Sequence, residues 1–268
     1  MAVVAGDTIV IAGGLNEGGQ SVGGVFTLNP ASGALSAAGT VPMAFHDAAA
    51  AAIGDRLFVF GGGTGESSDT IQAFDLQTHR SRIVGHLPKA LSDLSSAIVG
   101  STVFLVGGYD GVAPQATIYS TTDGAHLRAV GRLPTGLRYA AVAVARGRLM
   151  IAGGVASAGP VATVYGFDPT TGGISMIGRL PIPVGQAAAF ELGGRAFVCG
   201  GRDARGRAVR QCVAIDPVRG SVVSLTPLRA GVADAAVASD GRRAWLIGGW
   251  RGGPLVQVLV ARLAGPSS

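Results

Sequence analysis

The stretch that decides the fold is "LFVFGGGTGESSD", residues 57–69. An apolar run leads into three glycines, a threonine and a further glycine, and acidic and hydroxyl residues follow. A strand that feeds a glycine-rich loop also begins phosphate-binding sites, but such a loop needs a lysine after its last glycine and a helix behind it. Here Glu66 stands at the lysine position, and "SSDTIQAFDLQ" (67–77) is typical of a turn followed by a strand. The stretch therefore predicts no ATP or GTP site, and its glycines need another explanation.

The glycines belong to a repeat that covers nearly the whole chain. A diglycine follows a short apolar run at six places, and the first glycines are spaced 48, 46, 46, 47 and 48 residues apart. The six pairs are Gly13-Gly14, Gly61-Gly62, Gly107-Gly108, Gly153-Gly154, Gly200-Gly201 and Gly248-Gly249. Glycine pairs that recur in phase indicate a backbone requirement in every unit, either a positive φ or the close approach of a neighbouring chain.

Each repeat unit is predicted to contain four short strands, named A to D here in chain order. A proline turn such as "RLPTGL" (132–137) precedes strand A, which is rich in small residues, and a tight turn leads to the diglycine strand, strand B. A loop of variable length joins strands B and C, and a turn such as "DPTTG" (168–172) joins strands C and D. We expect the same proline turn at "TVPMAF" (40–45) and "HLPKAL" (86–91). Four-stranded units of this length predict the blades of an all-β, six-bladed β-propeller.

The blades are expected to form one propeller domain. Their approximate bounds within residues 1–268 are 1–41, 42–87, 88–133, 134–180, 181–227 and 228–268. Matching Gly248 to Gly153 places the end of the sequence just after a strand C, so the last blade is expected to lack its outer strand D. Because an unpaired strand edge can pair with another molecule, the edge of this blade is a predicted site of self-association.

The diglycine after strand B, the turns between strands and the period of about 47 residues resemble the kelch repeat, in a bacterial kelch-like form. Aromatic residues near strand C fit the resemblance, whereas the tryptophan that kelch blades usually carry in strand D is missing. These aromatic residues are Phe26, Phe74, Tyr119 and Phe167. The resemblance implies a propeller that binds a ligand or a partner. Some six-bladed kelch proteins of similar size are sialic acid mutarotases, so a sugar mutarotase-like enzyme is the alternative function.

The amino-acid composition argues against nucleic acid as a binding partner and against insertion into a membrane. The chain is 48% hydrophobic and 14% charged, and its net charge of +5 comes from basic residues that are scattered except in "RDARGRAVR" (202–210). Because aromatic residues make up only 6% of the chain, we expect no nucleic-acid binding. No apolar run approaches the roughly 18 residues of a membrane helix, so this segment is not expected to insert into a membrane. The strong excess of arginine over lysine, with abundant alanine, glycine and valine, indicates a GC-rich bacterial genome.

Histidine and cysteine form no metal or redox motif in the sequence. The four histidines are dispersed without metal-ligand spacing, and we expect neither a metal nor another cofactor. His79 occupies the C–D turn position that glycine fills in other repeats, which predicts a positive φ. Cys199 ends strand B and Cys212 begins strand C of the same blade, so the two either form a disulfide or remain small buried thiols. A disulfide would favour an extracytoplasmic or secreted location over the cytoplasm.

The B–C and D–A loops lie at the same end of every blade, because successive strands alternate in direction. The B–C loops vary in length and sequence whereas the C–D turns are uniform, and variable loops on a rigid scaffold are where binding usually occurs. We therefore predict a ligand face of B–C and D–A loops around the central channel. Its predicted ligand-binding residues are His46, Asp47, Asp93, Tyr109, Arg138, Tyr139, Gln186, Arg202, Asp234 and Trp250.

The predicted face combines carboxylates, arginines and aromatic rings. Such mixtures suit a protein, a peptide or a small polar ligand, since rings stack and guanidinium groups make paired hydrogen bonds. The other interpretation of each aspartate is that it caps a turn. Mutarotation needs an acid or base beside the anomeric hydroxyl, and no carboxylate is clearly poised for that role. No catalytic residue is therefore assigned, and a non-enzymatic binding, scaffold or sensor module is the favoured function.

Overall fold

The structure, a computed structural model, describes residues 1–255 and 257–263 of the chain. These residues form antiparallel strands joined by turns and loops, and the fold class is the six-bladed β-propeller that the repeat predicted. No helix in this part of the chain is long and apolar enough to cross a membrane. Two compact units divide the chain, Met1–Arg138 and Tyr139–Ser268.

The first unit contains blades 1 to 3, and each blade is a four-stranded sheet whose strands follow in chain order. The strands of blade 1 are β1 (Ala2–Ala5), β2 (Thr8–Ala12), β3 (Val22–Leu28) and β4 (Leu35–Phe45). Those of blade 2 are β5 (Ala49–Ile53), β6 (Arg56–Phe60), β7 (Ser68–Asp75) and β8 (Ser81–Leu91). Those of blade 3 are β9 (Ser95–Val99), β10 (Thr102–Val106), β11 (Thr117–Thr121) and β12 (Arg128–Arg132).

The second unit contains blades 4 to 6. Blade 4 consists of β13 (Ala141–Ala145), β14 (Arg148–Ala152), β17 (Thr163–Phe167) and β18 (Ile174–Arg179), and its B–C loop holds the short hairpin of β15 (Val155–Ala156) and β16 (Gly159–Pro160). Blade 5 consists of β19 (Ala188–Leu192), β20 (Arg195–Cys199), β21 (Cys212–Asp216) and β22 (Ser221–Ser224). Within the described residues, blade 6 has the three strands β23 (Ala236–Ser239), β24 (Arg243–Ile247) and β25 (Val258–Arg262).

The predicted proline turns are wrong in the first two blades. Pro42 lies within the 11-residue strand β4, and Pro88 lies within the 11-residue strand β8. Strand β4 remains paired with β3 beyond its proline, at Val22 and Phe45, across register shifts. Both strands are the outer strands of their sheets, where proline is tolerated because one edge needs no backbone donor. In blade 3, by contrast, β12 ends before Pro134.

Strand β6, from the stretch quoted first, is apolar because both of its faces are buried. Leu57 and Val59 point to one side and pack in a core with Val10 of blade 1. Phe58 and Phe60 point to the other side and pack in a core that includes residues of β10 in blade 3. A loop then leads into β7, so a strand stands where a phosphate-binding loop would require a helix.

The diglycines make the same contact in successive blades. The second glycine donates its N–H to a carbonyl just before the next strand A: Gly62 to Leu91 (2.9 Å), Gly108 to Leu137 (2.9 Å), Gly154 to Val184 (2.8 Å) and Gly201 to Val232 (2.8 Å). The first glycine of each of the six pairs has a φ between 62° and 72°. A Cβ on Gly61, Gly107 or Gly200 would overlap the accepting carbonyl oxygen. The positive φ and the close approach therefore occur together.

The turn role predicted for His79 is confirmed. Its φ is 59°, in the left-handed region, and its N–H donates to the carbonyl of Asp75 (2.9 Å). The Asp75 carboxylate accepts hydrogen bonds from the backbone N–H groups of Gln77 and Thr78, at 3.1 and 2.8 Å. The hydrogen bonds from Thr78 contribute most to lowering the pKa of Asp75 below its usual value. Hydrogen bonds to a side chain therefore support this turn from within.

We expect Gly107→Ala to lower the free energy of unfolding by about 2 kcal/mol or more, because alanine adds left-handed strain and a clash with the Leu137 carbonyl. The matched control is Gly100→Ala in the same blade, since Gly100 has a φ of 61° but nothing within 4 Å of where a Cβ would lie. Gly100→Ala should lower the free energy of unfolding through backbone strain alone, by about 1 kcal/mol. Urea denaturation measures both variants, and equal losses would contradict the role given to the carbonyl.

Candidate functional site

A left-handed residue precedes strand A in five blades, on the predicted ligand face. The φ values are 53° at Asp47, 58° at Asp93, 54° at Tyr139, 59° at Gln186 and 56° at Asp234. This conformation costs a non-glycine residue of the order of 1 kcal/mol, so other contacts must hold it. In the first unit the N–H of Asp93 donates to the carbonyl of Asp47 (2.7 Å). In the second unit Gln186 donates to Tyr139 and Asp234 donates to Gln186, both at 3.1 Å.

The residue before the left-handed residue pairs with the B–C loop of its own blade. Ser92 and Tyr109 exchange two backbone hydrogen bonds, of 2.9 and 2.8 Å. Ala233 and Trp250 exchange two of 3.1 and 2.7 Å. These bridges place the residue that follows the diglycine beside the start of strand A. Because only backbone atoms take part, the position is fixed while the side chain is free to differ between blades.

Asp93, Tyr109 and Arg138 form one cluster, in the first unit. Nη2 of Arg138 lies 2.6 Å from Oδ2 of Asp93, and the guanidinium carbon lies 4.3 Å from the centre of the Tyr109 ring. The Asp93 side chain is only 2% exposed, whereas that of Arg138 is 29% exposed. A buried carboxylate is costly unless it is paired, so Arg138 makes the burial of Asp93 possible.

Arg202, Asp234 and Trp250 form a cluster of the same chemistry in the second unit. Nη2 and Nε of Arg202 lie 2.5 and 3.2 Å from Oδ2 of Asp234, and the guanidinium carbon lies 3.7 Å from the centre of the Trp250 ring. The side chains of Arg202 and Asp234 are 29% and 28% exposed. The stacked guanidinium and indole therefore present aromatic area and charge together, a composition typical of binding hot spots.

His46 is bonded to a loop of the preceding blade. Oγ of Ser21 lies 2.8 Å from Nδ1 of His46, while Nε2 lies 3.9 Å from Oδ2 of Asp47. In the next blade Ser67 takes the corresponding place and donates to Oγ of Ser92 (3.1 Å). The feature that the two blades share is therefore a hydrogen bond to a side chain of the neighbouring blade. Within the described residues, no group of three or more His, Cys, Asp or Glu side chains could hold a metal ion.

A cavity of about 340 Å³ opens in the first unit beside the B–C loop of blade 2. Met43 and Phe45 from the end of β4 and Ala90 from β8 supply an apolar part of its lining. The loop that follows the diglycine supplies Thr64, Glu66 and Ser67 to the lining, and the start of β7 supplies Ser68, Asp69 and Thr70. Among the described residues that line the cavity there is no lysine, arginine or histidine. The glycine-rich stretch that begins at Leu57 thus ends in the wall of a cavity whose ionisable lining residues are acidic.

Lys89 of β8 is paired with Asp110 in the B–C loop of blade 3. Hydrogen bonds from the Lys89 ammonium group and from the backbone N–H groups of Ala113 and Val112 lower the pKa of Asp110 to about 2. Because this pKa is depressed, the stability from these contacts is present above pH ~4 and is lost as the pH falls toward 2. The contact holds the end of β8 in blade 2 against the B–C loop of blade 3.

Cys199 and Cys212 lie directly opposite each other in the β20–β21 ladder, and their sulfur atoms are bonded. The disulfide closes the base of the B–C loop 200–211. Within that loop Nη2 of Arg207 lies 2.8 Å from Oδ2 of Asp203. The arginine-rich segment noted in the sequence is therefore held at its base by a covalent bond and within by an ion pair.

Six of the ten predicted ligand residues meet in the two clusters, and the remaining four are His46, Asp47, Tyr139 and Gln186. These four lie at the left-handed positions or immediately before one. Ligand binding by any of the ten stays a prediction. Sequence reasoning missed Ser21, Ser67 and Lys89, whose roles depend on a neighbouring blade and leave no local signal.

Antiparallel blades recur along the chain, and their B–C loops carry polar and aromatic residues. The protein is therefore a β-propeller built from sequence repeats. A family model described as the KLHDC2/KLHL20/DRC7 Kelch-repeats domain matches residues 1–201. The chain belongs to the kelch-repeat family, as the diglycine repeat indicated. Kelch propellers generally mediate protein interactions, so the fold is in keeping with a binding module. A comparison with curated proteins found no match.

We expect Arg138→Gln to lower the free energy of unfolding by about 3 kcal/mol, because it removes the cation that pairs with a buried carboxylate. Arg202→Gln is the matched comparison, since its partner Asp234 is 28% exposed. Water can solvate that carboxylate, and the expected loss is about 1 kcal/mol or less. Urea denaturation of both variants measures the difference. A larger loss for Arg202→Gln would show that burial does not govern the two pairs.

Proposed function

We propose that the protein is a non-enzymatic binding module whose B–C and D–A loops form the ligand face. The ligand class is a protein, a peptide or a small polar molecule, and a peptide segment fits best. The proposal is carried by the stack of Arg202 on Trp250, held by the ion pair with Asp234. Arginine and tryptophan are the residue types that most often dominate binding energy at protein interfaces.

The stack of Arg202 on Trp250 is already ordered in the absence of a partner. The backbone bridge to Ala233 fixes Trp250, and Asp234 fixes the guanidinium of Arg202. Ordering a long side chain on binding costs roughly 0.5–1.5 kcal/mol, and a side chain that is already held avoids part of that cost. The disulfide at the base of the same loop further limits the motion of Arg202.

The test is to select peptides from a random displayed library on the wild-type protein and measure their affinity for variants. We expect Trp250→Ala to weaken the selected peptides about 30-fold, the effect of losing one hot-spot residue. Val218→Ala is the control, because Val218 is 73% exposed in the C–D turn of blade 5, at the other end of the blade. If the selected peptides lose affinity for Val218→Ala but not for Trp250→Ala, they bind at the C–D end of the blades, and the proposed ligand face is wrong.

The same protein samples test the alternative function. NMR exchange spectroscopy of sialic acid reports how fast its anomers interconvert. A sugar mutarotase would raise that rate well above the buffer rate, and such a result would overturn the non-enzymatic assignment.

We also propose self-association through blade 6. In the described residues no strand pairs with the outer edge of β25, and Val258, Leu259 and Val260 of this strand are 48%, 39% and 48% exposed. An apolar strand edge can pair with the same edge of a second copy. We expect Leu259→Lys to reduce the mass measured by light scattering at high protein concentration. An unchanged mass, monomeric in both proteins, would refute the proposal.

An extracytoplasmic or secreted location is the matching proposal for the compartment. It is supported by the bond between Cys199 and Cys212, since disulfides persist where the surroundings are oxidising.

A further inference from the structure

We infer that the cavity beside blade 2 binds the cationic side chain, arginine or lysine, of a peptide ligand. The inference rests on the proposed function and names the ligand chemistry of one part of the face. It goes beyond the Arg202–Trp250 stack, because the cavity lies in the first unit and is built from other loops.

The charge of the cavity is opposite to that of the chain. Glu66 and Asp69 are the ionisable residues of its lining, in a protein whose net charge is +5. Among the described residues no ion pair involves Glu66, while Asp69 is 3.2 Å from Nδ1 of the exposed His86. Within the described residues no lysine or arginine pairs with either carboxylate, so the lining attracts a cation and repels an anion.

The apolar part of the lining suits the stem of a long basic side chain. Met43 and Ala90 offer methylene and methyl contacts to the carbon chain of lysine or arginine, and the buried Phe45 backs this apolar part. The hydroxyl groups of Ser68 and Thr70, 2.8 Å apart, can accept hydrogen bonds from an ammonium or guanidinium group. A volume of about 340 Å³ is at the small end of ligand pockets, and it fits one side chain better than a large molecule.

The walls of the cavity are fixed from behind. Gln72 is only 1% exposed, and its side-chain amide bonds both the N–H and the carbonyl of Met43, at 2.8 and 3.2 Å. Gly63 exchanges two backbone hydrogen bonds with His46, of 3.1 and 3.2 Å. The cavity is thus held open without a ligand, and little ordering cost remains to be met on binding.

A peptide fits better than a free cation because of the surface around the opening. Met43 is 42% exposed there, so apolar surface remains available to the residues that flank the basic side chain. A free amine would fill only the cavity and leave this surface in water. The ligand that fits the cavity is therefore a basic residue within a peptide chain.

The experiment uses the capped peptide acetyl-Ala-Ala-Arg-Ala-Ala-amide, titrated into the full chain and followed by ¹H–¹⁵N NMR. Its neutral counterpart carries citrulline in place of arginine, and agmatine serves as the free guanidinium compound. We expect Glu66→Gln to weaken the arginine peptide about tenfold or more, the effect of losing a charge-assisted hydrogen bond. Asp7→Asn is the control, since it removes one negative charge from an exposed A–B turn of the same unit.

Each outcome decides the inference. Equal affinity of the arginine and citrulline peptides, or no effect of Glu66→Gln and Asp69→Asn, would overturn the cationic assignment. Agmatine that binds as tightly as the peptide would overturn the assignment to a peptide. If selected peptides still depend on Trp250 while Glu66→Gln changes nothing, the inference fails and the proposed function stands. If binding of the arginine peptide requires Glu66 but the affinity of the selected peptides depends on Val218 in the C–D turn, the cavity assignment holds and the proposed ligand face is wrong.

Discussion

The hydrogen bond on which the rest of the structure depends joins the second glycine of a diglycine to a carbonyl just before the next strand A. Gly108 and Leu137 show why both glycines are needed: the first must leave room for the carbonyl oxygen, and the second must turn its N–H toward it. A side chain at the first position would displace the segment that leads into the next strand A. Because this contact recurs in successive blades, the glycines recur at intervals of 46 to 48 residues.

The same backbone framework explains how one arrangement of charge and ring arises twice from unlike positions. Arg138 comes from the start of a strand A and Arg202 from the position after a diglycine, yet each lies over an aromatic ring and pairs with an aspartate at a left-handed position. The two pairs differ in the exposure of the carboxylate: the Asp93 side chain is 2% exposed and that of Asp234 is 28% exposed.

The repeat could be predicted from the sequence because a left-handed glycine after an apolar strand leaves the same residue pattern in every blade. The prolines at positions 42 and 88 could not be placed correctly, since their tolerance depends on which strand is outermost. The pair of Asp93 with Arg138 joins residues of different blades, and only packing brings them together. The cavity beside Glu66 likewise exists only between elements that lie far apart in sequence.

Strand β6 shares its side chains between two cores, and this sharing has a consequence for how the first unit comes apart. Removing blade 2 would strip one wall from the core it shares with blade 1 and one wall from the core it shares with blade 3. A blade that shares a core with each of two neighbours cannot unfold alone at low cost, because its apolar contacts with both neighbours would be lost. Blade 2 should therefore unfold together with a neighbouring blade, as one cooperative unit.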